Sequence, residues 1–129
     1  MILAIDPGKS KCGLAALDRF GNVLERRILP CEHVPNSLSY YLAKYGIFTV
    51  VVGRSAFGKE LEREISKLDL RIHIVFVSEK YSTLEARKRY WKEHKPKGLW
   101  RLVPTSLRVP PVPVDDYAAV ILGERFLAG

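Results

Sequence analysis

Asp6 closes the first apolar run of the chain, Met1-Ile2-Leu3-Ala4-Ile5-Asp6, and Pro7-Gly8-Lys9-Ser10-Lys11 follow it. The run reads as a buried strand, with Asp6 where it meets water. A carboxylate there, beside a glycine turn and two lysines, suits a metal ion facing a phosphate. The same residues have a plainer reading, because Asp before Pro-Gly is a common turn former. Carboxylates at matching places elsewhere would favour the first reading. Glu79 follows the apolar run 72–77, and Asp115-Asp116 open the last helical stretch. Parallel strands of an α/β sheet present their carboxyl ends on one edge, where sites form. If the strands at 2–6 and 72–77 are parallel, Asp6 and Glu79 share that edge, and the helix at 115 brings a third carboxylate to it. Singly, Glu79 also reads as a solvated loop residue, and Asp115 and Asp116 as helix N-cap and first-turn residues.

Carboxylates gathered this way repel one another unless a cation joins them. Mg2+, or Mn2+ in its place, is a hard ion that binds through one or two carboxylates plus substrate phosphate. Two such ions about 3.5–4 Å apart can hold the attacking water and the leaving oxygen of one phosphodiester. The chemistry the residues permit is two-metal phosphodiester hydrolysis.

The elements that must position these groups follow from pattern. Strand-like runs at 2–6, 11–18 and 22–30 are joined by links too short for helices, which makes them antiparallel neighbours. Phe20-Gly21-Asn22 turns the second into the third. Leu38, Tyr41, Leu42 and Tyr45 share one helical face. The continuously apolar run 48–53 reads as a strand buried on both faces. A helix follows, with Leu61, Ile65 and Leu68 inward and Ser55 as N-cap. The run 72–77 reads as another buried strand. Ser82 and Glu85 form a capping box for a helix ending near His94. The last helix runs from Asp115 to Leu127. The predicted fold is α/β: a mixed five-stranded sheet, three antiparallel strands then two parallel ones, flanked by helices. Between the last two helices, 95–113 carries five prolines, four basic residues and Trp100, and reads as an extended loop.

A length of 129 residues reads as one domain, 1–129, able to bury its own core. Lysine and arginine number 21 against 14 acidic residues, a net charge of +7 that suits a polyanionic partner, nucleic acid first. Cys12 and Cys31 form no CxxC or Cys/His cluster, so a structural zinc is not expected. They read as buried thiols in strand-like stretches, and imply a reducing, cytoplasmic setting. His33, His73 and His94 are scattered and read as packing or surface residues. No apolar run approaches the roughly 20 residues of a membrane span, and no signal-peptide pattern precedes the first strand.

With these motifs in order, the chain resembles the YqgF/RuvX family of Holliday junction resolvases and pre-16S rRNA processing nucleases over nearly its full length. The D-x-G-x-x-x-x-G motif is similar to Asp6-Pro7-Gly8 through Gly13. The apolar strand ending in glycine is Val50-Val51-Val52-Gly53, and the D-E-R-x-T-T-x-x-A motif resembles Ser78-Glu79-Lys80-Tyr81-Ser82-Thr83-Leu84-Glu85-Ala86. The closing D-x-x-A-A motif matches Asp115-Asp116-Tyr117-Ala118-Ala119. The resemblance implies a ribonuclease H-like fold and a catalytic triad of Asp6, Glu79 and Asp115 binding divalent metal, with Asp116 as an extra neighbour that could substitute or assist as a metal ligand. The substrate it implies is branched DNA or structured RNA, and a junction resolvase is expected to act as a symmetric homodimer. Ser78 stands where the family usually has an acidic residue, and the proline-rich stretch before Asp115 is unusual.

Lys9, Lys11, Arg54, Lys59, Lys80 and Arg87 are the expected phosphate contacts, and binding through them should weaken steeply with salt. Two other classes remain open on sequence alone. One is a non-catalytic nucleic-acid or ribosome-assembly binder on a nuclease fold. The other is a nucleotide-binding fragment of the actin-like class, which shares the D-x-G loop but needs a second domain.

Overall fold

The computed structural model describes residues 1–94, 102, 110 and 112–129. Alternation of buried residues builds β1 (Ile2–Asp6), β2 (Lys11–Leu17) and β3 (Val23–Pro30) as an antiparallel meander. The Asp18 carboxylate accepts from the backbone N–H groups of Phe20 and Asn22, both at 2.9 Å, and so shapes the hairpin turn. Then follow α1 (Val34–Tyr45), β4 (Thr49–Gly53), α2 (Ala56–Ser66), β5 (His73–Val77), α3 (Ser82–Glu93) and α4 (Asp115–Ala128). The sheet order is β3-β2-β1-β4-β5, with β4 parallel to both β1 and β5. The mixed five-stranded sheet expected from the sequence is present.

The pleat separates two cores. Leu3, Ile5, Leu14, Val50 and Val52 face α1 and α2, packing on Leu38, Tyr41, Leu61 and Ile65. Ile2, Ala4, Ala15, Leu17 and Val51 face α4, packing on Ala119 and Val120. Asp6 continues the even-numbered series of β1, so the period of two assigns it to the α4 face. Helix α3 packs along α4 through Ala86, Tyr90, Tyr117 and Ala118. No described helix is long and apolar enough to cross a membrane.

Several expectations need correction. β5 is half-buried, because it is an edge strand with one neighbour. Phe48 is 62% exposed and lies outside β4. Cys31 is half-buried in a 3-10 turn, Cys31–His33, with its Sγ 2.9 Å from that of buried Cys12. Burial and that neighbouring thiol push Cys12 up to about 12. The capping box does not form. Tyr81 enters α3 in the left-handed region at φ 62°, which puts Ser82 inside the helix, buried and unable to cap. The proline-rich stretch and Trp100 lie outside the described residues, apart from positions 102, 110, 112 and 113.

The Ser55 cap is as expected: its hydroxyl accepts from the Gly58 N–H at 3.0 Å. Ser55→Ala should cost about 1 kcal/mol in urea denaturation. An unchanged midpoint would mean that α2 is held by packing alone.

Candidate active site

The site is built on one cross-strand row at the carboxyl edge of the parallel strands. Asp6 on β1 pairs with Gly13 on β2. One step beyond the Ile5–Val52 pair, Asp6 stands beside Gly53 of β4, and Gly53 pairs with Val77 of β5. The carboxylate is thus flanked by two residues without side chains. A Cβ on Gly13 would collide with the backbone carbonyl of Asp115, and one on Gly53 would collide with the carboxyl group of Glu79. Each glycine clears the space that lets another acidic residue approach Asp6.

Glu79 arrives from the loop after β5. Its Oε1 is buried and has no hydrogen-bond partner. Burial raises Asp6 from 3.8 to about 8, reinforced by a hydrogen bond to Glu79 and by repulsion from Glu79 and Asp115. Glu79 is also raised, by burial, while its bond with Asp6 partly offsets the shift. The two carboxyls form a pair sharing a proton. Asp115 lies close enough to repel Asp6. Among the described residues, no three Asp, Glu, His or Cys side chains stand close enough together to hold a metal ion between them. The tight element is therefore the Asp6–Glu79 pair, with Asp115 as its nearest charged neighbour at the start of α4.

Asp116 is held elsewhere. Its Oδ2 lies 3.7 Å from Arg26 Nη1, its Oδ1 accepts from the Tyr117 N–H at 3.0 Å, and the Arg26 guanidinium covers the Tyr117 ring at 4.0 Å. These contacts turn Asp116 toward β3. Of the basic candidates, Lys9, Lys11, Arg54 and Lys80 sit in or beside the loops at this same sheet edge, and Lys59 lies in the first turn of α2. All five are exposed, and Arg87 is half-buried on α3.

Sequence reasoning passed over Arg26 and Arg125. Arg26 had no signal beyond being a charge on an exposed strand. Arg125 looked like an ordinary basic residue in a last helical turn. Its guanidinium instead donates to the carbonyls of Ser78 at 2.8 Å and Lys80 at 2.6 Å, and to Glu85 Oε1 at 3.0 Å.

No family model matches the sequence, and no curated protein matches it. Among solved structures, the chain is similar to Thermus thermophilus RuvC, with a TM-score of 0.54 and 12% identity, over 94% of this chain and 88% of that one. It is also similar to T. thermophilus RuvC in complex with Holliday junction substrate, with a TM-score of 0.55 and 14% identity over the same shares. At these identities the likeness is one of fold. The chain has a ribonuclease H-like α/β fold, which it shares with RuvC.

The raised Asp6 carboxyl makes stability depend on pH. The folded chain keeps to about pH 8 a proton that the unfolded chain releases near 3.8. Its contribution is fully present below that lower value and is lost as pH rises through about 8. Relative to Asp6→Asn, the metal-free protein should lose on the order of a few kcal/mol between pH 4 and pH 8. Millimolar Mg2+ should reverse the loss by binding the folded state. Parallel stability curves for the two proteins from pH 4 to 8 would contradict the shared-proton pair. Gly53→Ala should abolish the Mg2+ effect by driving Glu79 from Asp6, whereas Gly13→Ala, meeting backbone, should lower thermal stability outright.

Proposed function

We propose that this protein is a divalent-metal-dependent endonuclease acting on structured nucleic acid, either a four-way DNA junction or a precursor of 16S ribosomal RNA. The carrying observation is the half-buried Asp6–Glu79 pair, with the buried and unsatisfied Glu79 Oε1, at the sheet edge beside Asp115. Hard oxygen donors in excess of the hydrogen bonds available to them suit Mg2+ or Mn2+. Asp6 and Glu79 would hold the metal, one ion or two, with Asp115 as the nearest further carboxylate donor. When bound, it supplies activation of a water nucleophile and stabilisation of the leaving oxygen.

The remaining steps belong to the chain itself. Asp6 must release its shared proton when a cation takes the site, so binding should strengthen as pH rises through about 8. Pro7 is buried and Gly8 half-buried, which keeps the loop beside Asp6 low against the sheet. Lys9, Lys11, Arg54 and Lys80, exposed along the same edge, would draw in and orient the phosphodiester backbone. Lys59 and Arg87 would extend that contact. The motif likeness to YqgF/RuvX nucleases and the fold likeness to RuvC both support this reading. Two-strand cleavage of a junction would require a homodimer, each copy supplying one site.

A cleavage panel of four-way DNA, duplex DNA and structured RNA tests the proposal. Cleavage should require Mg2+ or Mn2+ and stop in EDTA. Asp6→Asn and Glu79→Gln should each lower the rate at least a thousandfold, and Asp115→Asn at least a hundredfold. Asp116→Asn should cost less than tenfold, because Arg26 already engages that carboxylate. Cleavage that survives Asp6→Asn or EDTA would refute the assignment. Salt-sensitive binding with no cleavage of any substrate would favour the non-catalytic binder.

A further inference from the structure

We infer that Arg125 is a positioning residue for Glu79, a role that rests on the reading of Asp6 and Glu79 as the functional pair. Glu79 reaches Asp6 from a loop, and its side chain has no anchoring donor of its own at Oε1. Beyond its hydrogen bond with Asp6, the carboxylate is placed by whatever holds the backbone beneath it. The Arg125 guanidinium bonds the carbonyls of Ser78 and Lys80, the residues on either side of Glu79. A third bond goes to Glu85 in the first turn of α3. A planar fork with fixed donor directions suits this bridging task, which a lysine ammonium reproduces only in part.

The loop needs such a clamp. Tyr81 holds φ 62°, a left-handed conformation that is unfavourable for a bulky residue and persists only where the surroundings impose it. The Ser82 N–H bonds the Glu79 carbonyl at 2.9 Å, which closes the turn on the other side. Arg125 stands on the same helix as Asp115. One rigid element therefore sets the acidic residue beside Asp6 at its first turn, and the loop that carries Glu79 at its last.

Three variants separate positioning from general support: Arg125→Ala, Arg125→Lys, and Arg89→Ala. Arg89 also ties α3 to α4, bonding both Glu124 oxygens at 2.7 Å, but among the described residues it makes no bond to the 78–80 loop. Two readouts are taken on each full-length variant: amide hydrogen exchange across 78–85, and Mn2+ titration followed by calorimetry. Arg125→Ala should speed exchange at Lys80 and Ser82 at least tenfold, leave β1 and β4 amides unchanged, and weaken Mn2+ binding at least tenfold. Arg125→Lys should recover part of both effects, and Arg89→Ala should show neither. Unchanged exchange in Arg125→Ala, or equal effects in Arg89→Ala, would overturn the inference. If the wild-type protein binds no Mn2+, the functional reading fails, while the exchange result still decides whether Arg125 orders the loop.

Discussion

The organising constraint is the burial of acidic groups that the fold forces together at one sheet edge, with their mutual repulsion added to it. Asp6 and Glu79 sit in partial burial, and Asp115 adds its charge to theirs. Without a cation, the pair meets this cost by retaining a proton that an exposed aspartate would have given up. A carboxyl raised to about 8 is thermodynamically expensive at neutral pH, and such perturbation gathers where groups are arranged for chemistry. The sheet is shaped to permit the crowding. Gly13 and Gly53 flank Asp6 in one row, and a methyl group at either would exclude one of its acidic neighbours.

The rest of the molecule serves that edge. The antiparallel meander and the β1–β4 pairing bury β1 completely up to Asp6, so the strand cannot slip without burying a charge or exposing an isoleucine. Helix α4 is buried from Tyr117 through Gly123 and lies across the face on which Asp6 stands. Its packing converts a core interaction into alignment of the site, because Asp115 precedes the buried segment and Arg125 follows it. Arg26 secures the outer side by holding Asp116 and Tyr117.

Features with a local signal were legible in the sequence. The apolar run of β1 ending on Asp6, the short links of the meander and the Ser55 cap each depend on neighbours within a few residues. The approach of Glu79 to Asp6 followed from a rule about parallel strand ends, which also operates without side-chain detail. Long-range contacts were not legible. Ser82 and Glu85 have the spacing of a capping box, but the left-handed Tyr81 and the reach of Arg125 to Glu85 override it. β5 has the composition of a central strand, yet among the described residues no strand pairs beyond it and it lies at the edge. Nothing local distinguishes Asp115 from Asp116. The difference comes from Arg26, ninety residues earlier in the chain, and from the closeness of the α4 N-terminus to Gly13.

The central claim is that the Asp6–Glu79 pair is a divalent-cation site. Crystals of the full chain soaked in Mn2+ at pH 8 test it most directly through the anomalous difference map. The account predicts a peak in contact with carboxylate oxygens of both Asp6 and Glu79, and its loss in Asp6→Asn. A fully soaked crystal with no peak at this pair, or with Mn2+ bound only elsewhere, would contradict it.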